Sequence, residues 1–496
     1  MQRFLISQAA KHIGEKVKVS GWVNVRRAHG KIVFIDVRDI SGVLQCVFIP
    51  SNKDAYEAVS EVRPEWVVEL VGQIVKRPEN MVNDKILTGQ VELLVESLLV
   101  LSKAETLPFS VETDGKEINE EIRMKYRYLD LRRERLKHNL IVRHKVVKFV
   151  RDFLSSEGFI EIETPMLTKS TPEGSRDFVV PSRLQPGKFY ALPQSPQQYK
   201  QLFMVAGLEK YFQIARAMRD EDSRGDRQFE HTQLDLEMSF VEREDILELI
   251  ERMMIKLVQT LFPNKKIQEI PFPRISYKDA MEKYHSDKPD LRNDKNDPNL
   301  LAFCWIIDFP FFEKTDEGDW TFVHNPFSAP KPDFIQDLLN KKNIEKIIAN
   351  QYDIVLNGWE LASGGIRNNN PEALEKVFEI MGYKKEEIQE KFGHMLKAFS
   401  FGTPPHGGIA PGIDRILALL LNEPNIREVI AFPKTGDGRD LMMDAPSEIY
   451  PKQLKELHIQ PVKSSKEEIS PKAKLFNRLK IDNPKPVKKT KKITSK

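Results

Sequence analysis

Residues 217–240, AMRDEDSRGDRQFEHTQLDLEMSF, limit the fold more than any other stretch of the chain. The second half alternates as a strand does. The first half sets Arg219, Asp220, Glu221 and Asp222 side by side at the edge of what reads as a buried sheet. Like charges in a row repel, and burial of unpaired charge is costly. A ligand carrying both phosphates and amines would give such a cluster a purpose.

The 496 residues suggest two or three domains, and 40% hydrophobic content is enough for real cores. Lys16–Val23, Lys31–Arg38, Val43–Phe48, Trp66–Val75 and Gln90–Leu101 read as five short strands punctuated by turns, the pattern of a small OB-type barrel. In KIVFIDVR, Val33, Ile35 and Val37 share one face, while Phe34 lies on the polar face with Asp36 and Arg38. Phe34 is either a cross-strand packing residue or a stacking platform for a base. A polar, then charged connector follows. His138–Gly158 has the apolar spacing of a helix, with Gly158 as its stop. From Phe159 to about Ile459 strands and helices mix without a βαβ repeat. The expected fold is therefore α+β, an antiparallel sheet with helices on it. No Walker loop and no GxGxxG occurs there, which argues against a doubly wound nucleotide fold.

No apolar run approaches a membrane span, and the opening MQRFLISQAAKHIGEK lacks the features of a secretory signal. Two distant cysteines, Cys46 and Cys304, fit a reducing compartment, so a cytoplasmic location is expected. The net charge of +3 does not make the chain a polycation. From Pro484 onward, however, NPKPVKKTKKITSK carries six lysines and no acid. That tail is either a solvated, disordered end or an electrostatic hold on RNA phosphates.

Four segments carry the chemistry: GFIEIETPMLTKSTPEGSRD (158–177), the run around Arg219, NGWELASGGIR (357–367) and GGIAPGIDRILALLL (407–421). Singly each is weak. In this order they resemble the three signature motifs of the class II aminoacyl-tRNA synthetases. With QSPQQYKQ (194–201) and IREVIAFPKT (426–435), the chain resembles the aspartyl branch of bacterial type. The resemblance runs from the N-terminal barrel to about Ile459. It implies an OB-fold anticodon-binding domain over 1–105, a hinge over 106–135, a class II catalytic domain over 136–460 and a basic tail over 461–496.

The resemblance also implies roles. Arg219 and Arg415 match the catalytic arginines. Arg219 would grip the α-phosphate of ATP and the aspartate carboxylate, and Arg415 would lie near the γ-phosphate. A guanidinium suits this because it stays charged and donates as a planar fork. Charge grows on the α-phosphate as the carboxylate attacks, so a fixed cation lowers the barrier. Asp220, Glu221, Gln228, His231, Glu360, Gly412, Ile413 and Asp414 complete the expected ATP site, with His231 where relatives often carry a stacking Phe. Asp353 and Glu360 match carboxylates that hold Mg²⁺ on the phosphates. Glu173, Ser195, Gln197, Gln198, Tyr199, Lys200, Asp235, His324 and Arg367, with Arg219, form the expected aspartate site. Lys200 and Arg367 would read the substrate side chain, and their charge opposes a lysine or asparagine specificity. A second histidine is common after the first in relatives; here Asn325 follows His324.

In the barrel, the resemblance makes Phe34 the stacking aromatic and Gln45 and Glu92 the base-edge readers, with Arg26 and Arg27 beside them. His29, in the loop RRAHGK, and Asn80 or Met81, in KRPENMVND, fall where strict enzymes carry other residues. A histidine there resembles the non-discriminating type, which places aspartate on both tRNA(Asp) and tRNA(Asn). The alternatives are a strict enzyme for tRNA(Asp), with His29 only an exposed turn residue, or an RNA-binding paralogue without activity. FIEIETP with Pro165 matches the motif-one strand of the family, which implies a homodimer. The long insertion of bacterial relatives after HSDKPDLR is missing, since NDKNDPN leads straight into LLAFCWIIDFPFFE.

Overall fold

The computed structural model describes residues 2–170 and 174–462, and internal contacts divide the chain into two units after Ser110. Glu173 and the lysine-rich tail lie outside the described residues. In the first unit β1 (Lys16–His29), β2 (Ile32–Asp39), β3 (Gly42–Phe48), β4 (Val67–Lys76) and β5 (Val91–Ser102) close a barrel in the order β1-β2-β3-β5-β4. Its interior is filled by alternate residues such as Val19, Val23, Ile35, Val37 and Leu70. Phe34 is half-buried on the opposite face.

The first strand differs from expectation. It does not stop at Val23 but runs, after a bulge, through Arg26 and Arg27 to His29, each paired with β2. RRAHGK is therefore mostly strand. Arg27 and His29 stand exposed on one face, where charge costs little, while β2 satisfies the backbone.

In the second unit α1 (Glu134–Ser156) starts four residues before the expected His138, because its buried stripe begins at Leu136. The strand expected over FIEIETP is reduced to β6 (Ile160–Glu161), and its ladder ends with the Ile162 N–H on the Phe212 carbonyl, before Pro165 is reached. β7 (Lys210–Met218), β8 (Glu230–Ser239), β9 (Arg274–Ser276), β10 (Phe303–Ile307), β11 (Gln351–Leu356), β12 (Trp359–Ile366) and β13 (His406–Ile409) complete a sheet ordered β9-β10-β11-β12-β13-β8-β7-β6. The interior pairs are antiparallel, as the α+β reading requires. Only the edge pairs β9–β10 and β6–β7 are parallel.

On one face, Leu234, Leu236 and Met238 of β8 pack into a core with α1 and with the amphipathic helix Arg243–Leu261. The opposite face of β8 turns Gln233, Asp235 and Glu237 toward a cavity. There β8, β13 and β12 approach closely. A Cβ on Gly408 would collide with the Glu237 carboxylate and the Leu236 carbonyl, and one on Gly364 with the Gly408 carbonyl.

Residues 111–135 read from sequence as a polar connector. They are built into the second unit. Arg123 donates to Asp130 at 3.1–3.2 Å and to both Glu428 oxygens at 3.1 and 2.8 Å, Arg133 donates to Asp130 at 2.6 Å, and Arg135 to Glu428 at 2.8 Å. Burial pulls the Glu428 carboxyl up, but the arginines outweigh it and hold it at about 2. Among the described residues, no helix is long and apolar enough to cross a membrane.

Candidate active site

A cavity of about 280 Å³ opens over the polar face of β8, β12 and β13. One end is built by a buried ion cluster. Lys200, on the helix Gln197–Val205, lies 2.8 Å from Asp235 and 3.2 Å from Glu237. Arg367, just past β12, donates to both oxygens of Glu237 at 2.8 and 3.1 Å. All four are nearly inaccessible. Burial raises the Asp235 carboxyl against the pull of Lys200. Glu237 is also penalised by burial, but Arg367 and Lys200 hold it below the usual range. The buried Oδ2 of Asp235 has no hydrogen-bond partner among the described residues.

Ser195 and Gln197 line the same end. Gln197 is oriented by a relay: its Nε2 donates to Gln201, whose Nε2 meets His406 Nε2 at 3.1 Å. His406 Nδ1 lies 2.8 Å from the Pro404 carbonyl, which must accept, so Nε2 is the acceptor for Gln201. Burial lowers the His406 pKa and favours this neutral ring.

The other end is cationic. Arg219 follows β7, and its N–H donates to the Phe229 carbonyl at 2.7 Å, closing the loop to β8. Its Nε donates to the Gln194 carbonyl at 3.3 Å. Arg415 stands in the first turn of the helix Ile413–Leu420. It donates to the Glu360 carbonyl at 2.8 Å and to Asp226 Oδ2 at 3.2 Å. Glu221 accepts from Ser175 at 2.9 Å and from Arg227 at 2.5 Å. Burial works against its charge, but these two donors keep it below the usual carboxylate range. His231 lies between the two arginines. Burial first, then Arg219, pushes its pKa down to about 3, so it presents a neutral ring.

Several expected residues fall elsewhere. Gln198 and Tyr199 sit on the far side of their helix and line a neighbouring hollow with Phe189, Tyr190 and His394, because successive helical positions point apart. Asp220 faces Arg176 at 3.5 Å, and Ile413 is in the apolar core. Gln228 reaches the cavity, but both ends of its amide bind the Lys434 backbone. Asp414 likewise braces Arg143 and the Thr232 N–H. Asp353 stands behind the wall, bonded to Ser363 at 2.6 Å and to His324 Nε2 at 3.1 Å. Burial lowers the His324 pKa, but Asp353 overrides it and raises it.

Of the two expected metal acids only Glu360 lines the cavity, and no cluster of three His, Cys, Asp or Glu suited to a metal occurs among the described residues. A single half-buried carboxylate still fits Mg²⁺, which takes few protein ligands and completes its shell with phosphates and water. Asp226, Gln233, Glu237, Asn325 and Ser363 were not foreseen as site residues. Gln233 and Glu237 had a signal: with Asp235 they alternate with Leu234, Leu236 and Met238, so one face of a central strand had to be polar.

On the barrel, Arg27 donates to both oxygens of Asp36 at 2.9 and 2.8 Å and to Gln45 at 3.4 Å, and Gln45 donates to Glu92 at 2.8 Å. Phe34 is the cross-strand partner of Arg27, so an aromatic and a polar network share one face. Arg26 points away, its Nε on the Val59 carbonyl. His29 and Met81 are exposed, and Asn80 sits with Met81 in the short turn Glu79–Met81.

Residues 119–436 match the family described as tRNA synthetases class II (D, K and N), and residues 17–101 match the OB-fold nucleic acid binding domain. An aspartate–tRNA(Asp/Asn) ligase of Rubrobacter xylanophilus is 41% identical over 574 residues, covering 91% of this chain and 95% of the relative. One of Dictyoglomus turgidum is 44% identical over 578 residues, covering 91% and 97%. These alignments are longer than the 496-residue chain, so the relatives carry residues that this chain lacks. The fold matches asparaginyl-tRNA synthetase of Pyrococcus horikoshii complexed with asparaginyl-adenylate, with a TM-score of 0.71, 20% identity and coverage of 91% of this chain and 100% of the other. It also matches aspartyl tRNA synthetase of Entamoeba histolytica, with a TM-score of 0.68, 22% identity and coverage of 87% and 91%. A cavity with an arginine-lined end and a buried cation pair, on an antiparallel sheet with this match, has one explanation: the chain belongs to the class II tRNA synthetases of the aspartate, lysine and asparagine group.

Proposed function

We propose that the chain joins L-aspartate to tRNA through an aspartyl-adenylate made from ATP, and that it charges both tRNA(Asp) and tRNA(Asn). The observation that carries the amino-acid reading is the buried Lys200–Arg367 pair. Two fixed cations at the end of a small cavity favour a short carboxylate and oppose a lysine side chain. The Asp235 carboxylate, which lines the cavity, suits the substrate α-ammonium. Arg219 would then bridge the substrate carboxylate and the α-phosphate, with neutral His231 against the adenine. Arg415 would hold the distal phosphates. Mg²⁺, when bound, neutralises phosphate charge; Glu360 would hold it, while Asp353 orients Ser363 and His324 from behind. Activity is expected in a reducing cytoplasm, where the buried thiols Cys46 and Cys304 stay free.

The dual tRNA reading rests on His29 and on the names of the relatives at about 40% identity. His29 is the last residue of β1 at an exposed hairpin, so it can meet a base without rearrangement of the barrel. An imidazole donates or accepts, and so tolerates either of two bases. Wild-type protein is expected to aspartylate transcripts of both tRNAs, and His29→Leu to sharpen the preference for tRNA(Asp). Negligible charging of tRNA(Asn) by wild type would leave a strict aspartate enzyme.

A homodimer is part of the same reading. Ile160, Leu167, Val179, Phe189 and Tyr190 are exposed apolar residues around the motif-one strand and the hairpin beyond it. A two-fold contact would cover them. Light scattering at micromolar concentration is expected to give the mass of two chains; the mass of one would refute the dimer.

A further inference from the structure

Residues 285–299, which link the helix Tyr277–Tyr284 to the strands at the sheet edge, are pinned against the back of the cavity. Gln268 holds the segment twice, donating to the Leu291 carbonyl at 3.0 Å and accepting from the Asn293 N–H at 2.8 Å. Asp290 is locked by Arg292 at 3.0 and 2.7 Å. It lies on the β11–β12 turn, where a Cβ on Gly358 would be 3.5 Å from its own Cβ. This anchoring delivers Lys288 to Glu360, with Nζ 3.9 Å from Oε2. The other oxygen, Oε1, is 3.7 Å from Arg415 Nη1.

Glu360 is thus flanked by two cations, and both distances exceed a hydrogen bond. One negative charge faces two positive ones at the cavity wall. The Lys288–Glu360 pair is half-exposed and loose, so stability gives little reason for it. A polyanion gives a better one. When a divalent cation occupies the Glu360 carboxylate, Lys288 loses its counter-charge next to the terminal phosphates, whereas Arg415 keeps Asp226. An ammonium on a flexible stem can follow the charge.

We propose that Lys288 is a further ATP-positioning residue, which rests on Glu360 before ATP binds and turns to the terminal phosphates of Mg·ATP. This rests on the reading that the cavity takes ATP. The test is calorimetric titration of wild type, Lys288→Met and Lys288→Arg with ATP in MgCl2, with AMP, and with L-aspartate. Loss of one charge-assisted contact should weaken ATP binding by Lys288→Met about tenfold. Lys288→Arg should keep most of the affinity. AMP, which lacks the terminal phosphates, and L-aspartate should bind all three proteins alike. If wild type binds ATP and Lys288→Met binds it equally well, or if AMP weakens in parallel, the inference fails alone. If wild type binds no ATP, it fails together with the proposed function.

Discussion

Arg219→Ala is expected to fold normally and to lose adenylate formation by about 10²–10³-fold, the usual effect of removing one donor aimed at developing charge. Folding should survive because what closes the 219–229 loop is the backbone bond from the Arg219 N–H to Phe229, which alanine keeps. Arg219 lines the same cavity as the buried cation pair, with neutral His231 beside it. A group in that place can touch both reactants. Its effect should appear in kcat for ATP–pyrophosphate exchange more than in aspartate affinity. Exchange near the wild-type rate would remove Arg219 from the reaction.

Glu237→Gln should cost about 3–5 kcal/mol of unfolding free energy, the range for removing one partner of a buried ion cluster. The amide keeps the shape but not the charge. Lys200 and Arg367 would then share only Asp235, whose carboxyl is already raised by burial. Saturating L-aspartate should recover part of the loss, since its carboxylate supplies the missing charge and ligand binding stabilises the folded state. Urea unfolding with and without L-aspartate measures both. A cost below about 1 kcal/mol, the net worth of an ordinary hydrogen bond, would show that Glu237 is not the counter-ion of the pair.

The barrel and the sheet were legible where burial follows local periodicity. Val33, Ile35 and Val37 pointed inward as their alternation required. The exit of β1 was not legible, because Arg26, Arg27 and His29 look like loop residues unless the partner strand is known. The connector was misread for a related reason. Arg123 and Arg135 find their acids at Glu423 and Glu428, and nothing within a window of sequence reports a pairing some 300 residues away. In the cavity the arginines were found through motifs. Glu237 carries no such label, though its strand pattern put it on the polar face. Gln198 and Tyr199 show the opposite limit: a motif names neighbours together, while helical geometry sends them to different sides.

The close approach of β8, β12 and β13 bears on how such a chain can change over generations. Beside Glu237 the strands meet at glycines: a side chain on Gly408 would collide with the Glu237 carboxylate and the Leu236 carbonyl, one on Gly364 with the Gly408 carbonyl and Tyr352, and one on Gly407 with Ile366 and Ile246. At 364 and 408 the obstacle is main chain, which cannot yield as a side chain can, so this platform is closed to drift. Variation in what the cavity accepts is therefore left to the rim, where Asn325 lies. Its Oδ1 is held by the Phe327 N–H and the Ser328 hydroxyl, which leaves its amide N–H₂ to face the cavity. New specificities in this lineage would arise on loops, over a platform that stays the same.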